Sequence, residues 1–322
     1  MPKTGTTAIQ DYFAANRAAL RQNGLLYPGS AVDHADLLPL FHQRGPQHFY
    51  YRQRGVSESD ALATAHSLRT EIQRELSAFS GDALLSSEYF YSVGPKRLKQ
   101  LAAFFGELGF AFRVVVYVRH PVSAAISHAN QDIKMGKRTL AECSGDPRWH
   151  SNRKTLETLS SVISRDDLIV RDYEAVAGRN CVRDILEVCG YRGDVGASDP
   201  RHSNVSLSMA GAVLADACHK LKAANPSLQI DQSFVYQIGG PKFTLPDTAI
   251  AQIRERGVEE IAWIEEHFGI KLVEPSLSGV FSNTLDPEAV LQLTEYIAAL
   301  QSTPLTKLRR LLGDRRNSRT LT

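Results

Sequence analysis

The sequence predicts an α/β fold in which a parallel sheet is covered by helices on both faces. Three observations carry that prediction. Short apolar runs alternate with segments of helical spacing between Ala83 and Val188. A loop rich in glycine and threonine, Pro2-Lys3-Thr4-Gly5-Thr6-Thr7, leads directly into a helical pattern. No apolar run approaches the ~20 residues that span a bilayer, since the longest, Phe112 to Val118, is interrupted by Arg113.

The elements follow in order. From Thr7 to about Gln22, Ile9, Tyr12, Phe13 and Leu20 recur at helical spacing, and Gly24 stands where a helix ends. Leu25 to Gly29 is punctuated by Gly and Pro, and the His-, Arg- and Tyr-rich stretch to Gly55 shows no clear period. Residues 58 to 79 place Leu62, Leu68, Ile72, Leu76 and Phe79 on one helical side. Ala83 to Ser87 and Arg113 to Val118 read as buried parallel strands, with a helix over Pro95 to Gly106 between them. Leu168-Ile169-Val170 makes a third strand after a helix around 154 to 164, and a further helix runs through Val188. From Asn204 the pattern is mainly helical, with a break at Pro241 to Pro246 and a helix near 247 to 268.

At 322 residues the chain is long enough for one α/β domain with embellishments. With 37 basic and 35 acidic residues the net charge is only +2, which argues against a coat for nucleic acid and leaves room for a local anion pocket. Cys143, Cys181, Cys189 and Cys218 form neither CxxC pairs nor a dense framework, so neither zinc nor disulfides are expected, and no other metal site is evident. With no basic segment followed by an apolar stretch at the start, a cytoplasmic protein is expected.

Function is carried by two anion motifs. In the N-terminal loop, glycine lets the backbone turn N–H groups toward an anion, Lys3 adds a point charge, and the following helix supplies its positive end. The second, Arg119-His120-Pro121 with Ser127, ends a strand on Arg119 and sets Ser127 two turns into the next helix. The lysine precedes the glycine, unlike the order in nucleotide hydrolases. Pro-Lys-Thr-Gly-Thr-Thr resembles the 5′-phosphosulfate loop, and R-x-P-x5-S the 3′-phosphate site, of sulfotransferases that use PAPS (3′-phosphoadenosine 5′-phosphosulfate). Gly24 to Gly29, Leu84 to Glu88, and Gln131, Lys134, Gly136 and Lys137 are similar to the bacterial polysaccharide and carbohydrate branch.

The resemblance implies a P-loop three-layer sandwich, central parallel sheet between helices, over a single domain 1–322. Its nucleotide-binding core spans about 1–200, and a mainly helical part about 201–322. It implies that PAPS is the co-substrate, without a metal, and that the acceptor hydroxyl belongs to a carbohydrate. Lys3, Thr4, Gly5, Thr6 and Thr7 would hold the 5′ side, and Arg119 and Ser127 the 3′-phosphate. Tyr173 would lie near the adenine, and Arg201, with Asn204 and Ser206, would touch the nucleotide. The acceptor's proton would go to Glu88, whose pKa is expected to rise by partial desolvation at a strand end, or alternatively to His34. Such loops sit at the carboxyl end of a central strand, and only Met1 stands upstream here. The first strand is therefore read as truncated, with Met1 internal to a longer reading frame. An in-frame apolar strand upstream supports this, and an immediate stop codon contradicts it. The basic stretch Lys307 to Arg316 suggests contact with an anionic membrane surface. Two other classes compete: a P-loop nucleotide kinase or NTPase, and an inactive nucleotide-binding remnant.

Overall fold

The computed structural model describes residues 4–177, 180–193, 206–227, 230, 232–285, 288–290 and 292. The helices in chain order are α1 (Thr6–Ala15), α2 (Arg17–Gln22), α3 (Leu38–Phe41), α4 (Phe49–Arg52), α5 (Glu58–Ser77), α6 (Pro95–Glu107) and α7 (Pro121–Lys134). They continue with α8 (Leu140–Gly145), α9 (Asn152–Ser160), α10 (Tyr173–Ala177), α11 (Cys181–Val188), α12 (Met209–Ala224) and α13 (Asp247–Phe268). The strands are β1 (Leu25–Leu26), β2 (Asp82–Ala83), β3 (Val114–Val118) and β4 (Leu168–Asp172). The fold is thus α/β and mostly helical. Among the described residues it holds two small parallel sheets, β1 with β2 and β3 with β4. No described helix is long and apolar enough to cross a membrane.

The strand expected over Ala83 to Ser87 is shorter, because its partner changes. Leu84 N–H still donates to Leu26 C=O at 2.9 Å, but Ser86 then pairs with His34. The His34 N–H donates to Ser86 C=O at 2.9 Å, and Ser86 N–H donates to His34 Nδ1 at 3.0 Å. The single helix expected from Thr7 to Gln22 is broken at Asn16, whose φ of −110° ends α1 and starts α2. β1 itself falls in the Leu25 to Gly29 stretch, between Gly24 at φ +83° and Gly29 at φ +77°.

The described residues gather into two compact units. The first lies within Met1–Ala124, Trp149–Asn204 and Ile253–Pro275, and the second within Ala125–Arg148, Val205–Gln252 and Ser276–Thr322. In the first unit, alternate strand residues enter different apolar clusters, as the two-residue period of a strand requires. Leu84, Val115 and Tyr117 pack with Ile9, Phe13 and Ile185. Ala83 and Leu85 pack with Leu76, Leu101 and Phe105, and Val114, Val116 and Val118 with Leu98 and Leu156. Both faces of β3 are therefore apolar, which suits a parallel strand.

In the second unit, the Asp216 carboxylate accepts from Leu140 N–H at 3.1 Å and pairs with Lys220 at 2.7 Å, fixing α8 on α12. Gly136 takes φ +62°, and a Cβ there would lie 2.4 Å from His219 Nδ1. That contact accounts for glycine at this end of the Gln131 to Lys137 segment.

Candidate functional site

The N-terminal loop closes onto α1 through Gly5, the N-cap residue, at φ +73° and ψ +12°. Its carbonyl accepts from Ile9 N–H at 3.2 Å. Left-handed backbone of this kind costs an L side chain about 1–2 kcal/mol and costs glycine almost nothing. Thr6 and Thr7 begin the helix, and the first turn of α1 carries no acidic residue, so nothing in it offsets the positive end of the helix. Thr4 is buried.

Space above Gly5 is closed by residues far away in sequence. A Cβ at Gly5 would come within 3.2 Å of Cys181 Sγ and 3.4 Å of Tyr173 Cε2. The Tyr173 ring carries the guanidinium of Arg119 at 4.9 Å from its centroid. Gly5, Tyr173 and Arg119, picked out from three separate stretches of sequence, thus meet around one aromatic ring. Burial pushes both the Tyr173 hydroxyl and the Cys181 thiol up, so the thiol beside the loop stays protonated near neutral pH.

Arg119 is held on both its side chain and its backbone. Its Nε donates to Glu174 Oε1 at 2.7 Å, in a pair whose side chains are 19% and 14% exposed. The Ser123 hydroxyl donates to the same oxygen, while Glu174 Oε2 is buried without a hydrogen-bond partner. At the backbone, Asn152 Nδ2 donates to the Arg119 carbonyl at 2.9 Å and to Glu260 Oε1 at 2.8 Å. Glu260 also accepts from Ser151 Oγ at 2.6 Å, so a buried carboxylate on α13 anchors the turn that presents Arg119. Next to it, Tyr117 donates to Asp184 Oδ2 at 2.8 Å, and Arg171 pairs with the same carboxylate. This ties α11, which starts at Cys181, to the ends of β3 and β4.

The two candidate bases sit differently from expectation. Glu88 opens a short 3-10 turn, Glu88–Ser92, and is exposed, so the partial desolvation expected for it is corrected. Its backbone turn is set by Ser87, whose hydroxyl accepts from Tyr89 N–H at 3.3 Å. His34 is fully buried, with Nδ1 accepting from Ser86 and Nε2 2.9 Å from the Pro28 carbonyl. Both ring nitrogens are thereby engaged in tying the Tyr27-Pro28 turn to the end of β2, and burial lowers the ring's pKa. Ser86 also accepts from Gln10 Nε2 of α1 at 3.2 Å.

Ser127 is half-buried and belongs to the second unit. Lys3, Arg201, Asn204 and the basic stretch Lys307 to Arg316 lie outside the described residues. Ser123, Glu174, Cys181 and Asn152 escaped the sequence reading. Only Glu174 carried a signal, as a carboxylate directly after Tyr173 at a strand end. Comparisons with protein-family models, with curated proteins and with solved structures find no match to this chain.

Proposed function

We propose that the chain transfers a sulfuryl group from PAPS to a hydroxyl, carbohydrate acceptors being the class that its resemblance favours. The observation that carries this reading is the meeting of Gly5, Arg119 and Tyr173 around one ring. Gly5 of one anion motif and Arg119 of the other, more than a hundred positions apart in sequence, come to the same tyrosine ring, with the Arg119 guanidinium over its face. In this reading the strand pairs belong to a three-layer sandwich with a central parallel sheet.

The chemistry asks the protein mainly for positioning and charge. The acceptor oxygen forms a bond to sulfur as the bond from sulfur to the 5′-phosphate oxygen breaks. The electron pair of that bond leaves on adenosine 3′,5′-bisphosphate, and the acceptor's proton passes to a base. Backbone N–H groups of Gly5, Thr6 and Thr7, at the start of α1, neutralise the 5′-phosphate, with Lys3 adding a positive charge. Arg119 serves the 3′-phosphate, sharing its guanidinium with Glu174, and Glu88 takes the proton from the solvent-facing side. His34, engaged at both nitrogens, serves to hold the turn.

A kinase or NTPase remains the competing class, and the acidic strand end it needs is represented by Asp172. That carboxylate is turned inward, accepting from Glu174 N–H and Val273 N–H at 3.0 Å each. Calorimetric titration separates the two readings. Adenosine 3′,5′-bisphosphate is expected to bind without magnesium and at least tenfold more tightly than ATP. Sulfate transfer from PAPS to a panel of glycans then tests turnover. Preference for ATP with magnesium, or binding of the bisphosphate that survives Arg119→Ala unchanged, refutes the proposal.

A further inference from the structure

The sequence holds two tryptophans, and the fold brings both to one surface of the first unit. Arg256, Glu260, Trp263 and His267 of α13 recur at helical spacing and share one stripe. The segment from Trp149 to Arg153 runs along that stripe. The Arg256 guanidinium lies 4.9 Å from the centre of the Trp149 ring, and the Arg153 guanidinium 5.3 Å from that of Trp263. Each segment thus gives one arginine and one tryptophan. Between the two pairs, Ser151 and Asn152 hold the Glu260 carboxylate.

Charge is sorted around α13. Glu255, Glu259 and Glu266 fall on the neighbouring stripe, whereas Glu260, the carboxylate on this one, is buried. Arg256 is exposed, and the Arg153 side chain is 42% exposed beside Glu157, its partner at 2.8 Å. Lys154 adds an exposed cation, and no acid occurs from Trp149 to Leu156. A guanidinium stacked on a ring keeps its N–H edge available, and that edge fits a carboxylate or sulfate with two hydrogen bonds. The ring faces are already in use, since Trp263 also stacks on His267 with centres 4.4 Å apart. Such a surface offers donors to anionic groups rather than the open aromatic faces on which single-stranded nucleic acid stacks.

The same segment leads to the proposed base. His150 meets the Tyr91 ring, centres 5.4 Å apart. Tyr91 belongs to the 3-10 turn Glu88–Ser92, and side chains three residues apart in such a turn eclipse, so Tyr91 stands on the side of Glu88. Burial first, and the charge of Glu88 second, push the Tyr91 hydroxyl up. One surface therefore runs from Glu88 through Tyr91 and His150 to Trp149 and Arg256. We infer that this surface seats the acceptor and that the acceptor is an acidic saccharide chain. A hydroxyl of one sugar stands at Glu88, while carboxylate or sulfate groups on its neighbours bind the edges of Arg256 and Arg153. That the saccharide gives up a hydroxyl proton rests on the transfer reaction proposed above; that it binds here does not.

Because Trp149 and Trp263 are the two tryptophans of the sequence, their fluorescence reports on this surface directly. The probes are a hyaluronan octasaccharide, which carries carboxylates, and a neutral dextran oligosaccharide of equal length. The acidic probe is expected to change the emission on titration, to bind at least about tenfold more tightly than the dextran, and to weaken as salt is raised. Arg256→Gln should weaken its binding at least about fivefold, and Arg256→Lys, which keeps the charge but not the planar fork, should fall between. Lys154→Gln, at an exposed position, gives a second variant with a smaller loss of about twofold. All three should leave affinity for adenosine 3′,5′-bisphosphate unchanged. The inference is overturned if dextran binds as tightly, if the emission does not respond to bound octasaccharide, or if neither charge-removing variant weakens binding. A single-stranded oligonucleotide or vesicles of anionic lipid binding as tightly and altering the same emission overturn it too. Octasaccharide binding by a protein that does not bind the bisphosphate upholds the surface and overturns its part in the transfer.

Discussion

Replacing Gly5 by alanine is the sharpest perturbation of the loop, because two costs of different origin fall on one methyl group. The first is conformational: at φ +73° a non-glycine residue pays about 1 kcal/mol or more. The second is contact. The new Cβ would sit 3.2 Å from Cys181 Sγ, tighter than ordinary packing, while Cys181 Cβ at 3.6 Å is not. Pushing the thiol aside by a few tenths of an ångström costs about another 0.5–1 kcal/mol. Gly5→Ala should therefore lose about 2 kcal/mol. In a Cys181→Ala background the contact cost disappears and about 1 kcal/mol remains. Urea unfolding of the four proteins in a double-mutant cycle reads the difference directly as the coupling. Gly5→Asn supplies a control that keeps the contact but tolerates the left-handed backbone. A coupling below about 0.3 kcal/mol, or a Gly5→Ala cost below about 0.5 kcal/mol, would falsify the placement of the loop against α11.

Further outcomes follow from the same geometry. Glu174→Gln removes the carboxylate that competes for Arg119, so adenosine 3′,5′-bisphosphate should bind about three- to tenfold more tightly by calorimetry; weaker binding would show that Glu174 orients rather than competes. Glu88→Gln should lower turnover about a hundredfold or more and leave bisphosphate affinity unchanged; full turnover would remove Glu88 from the role of base. Mild acid should destabilise the fold through histidines 34, 42, 48 and 120, whose pKa values are all lowered, chiefly by burial. Since the unfolded state takes up protons first, stability is complete above the ordinary value of 6.5 and falls as the pH drops below it, reaching for His42 a folded value of about 4. The melting temperature should decline between pH 6.5 and 5, before most carboxylates titrate. His42→Asn, which keeps an acceptor for Arg44 N–H, should flatten that decline, and an unchanged slope would count against the assignment.

How much of this was legible in the sequence depends on the range of the interaction. β3, β4, α5, α6 and α13 announce themselves through local periodicity, and each lies close to its expected bounds. Arg119 and Tyr173 were legible as residue types at strand ends, where side chains converge in open parallel sheets, and the loop as glycine and threonines ahead of a helix. The clamp on Arg119 was not, because Asn152 and Glu260 are brought to it by the packing of α9 and α13, and no local pattern marks a polar residue that is buried only by tertiary contact. The same reason defeats the reading of Glu88. A carboxylate after a buried strand is expected to be half-buried, but the chain turns outward at Ser87 and carries it into solvent.

The four acid-sensitive histidines share one further property that no composition count shows. In each, Nδ1 accepts a backbone N–H: from Ser86 for His34, Arg44 for His42, Tyr50 for His48 and Val122 for His120. An acceptor at Nδ1 places the ring proton on Nε2, so the neutral tautomer is selected by the backbone itself. At His42, His48 and His120 protonation would set an N–H against an N–H, adding to the cost of burying the charge, whereas His34 Nδ1 also has the Ser86 carbonyl 3.2 Å away. Three of the four make this contact two residues ahead, and His48 thereby caps α4. His120 does so in the turn between Arg119 and α7, so the ring next to the proposed phosphate arginine works as a neutral turn-former. Acid that protonates it would loosen the Arg119 turn, and bisphosphate binding should then weaken as the pH falls below the ordinary histidine value of 6.5, more steeply in the parent than in His120→Asn. Equal pH profiles for the two proteins would detach His120 from the site.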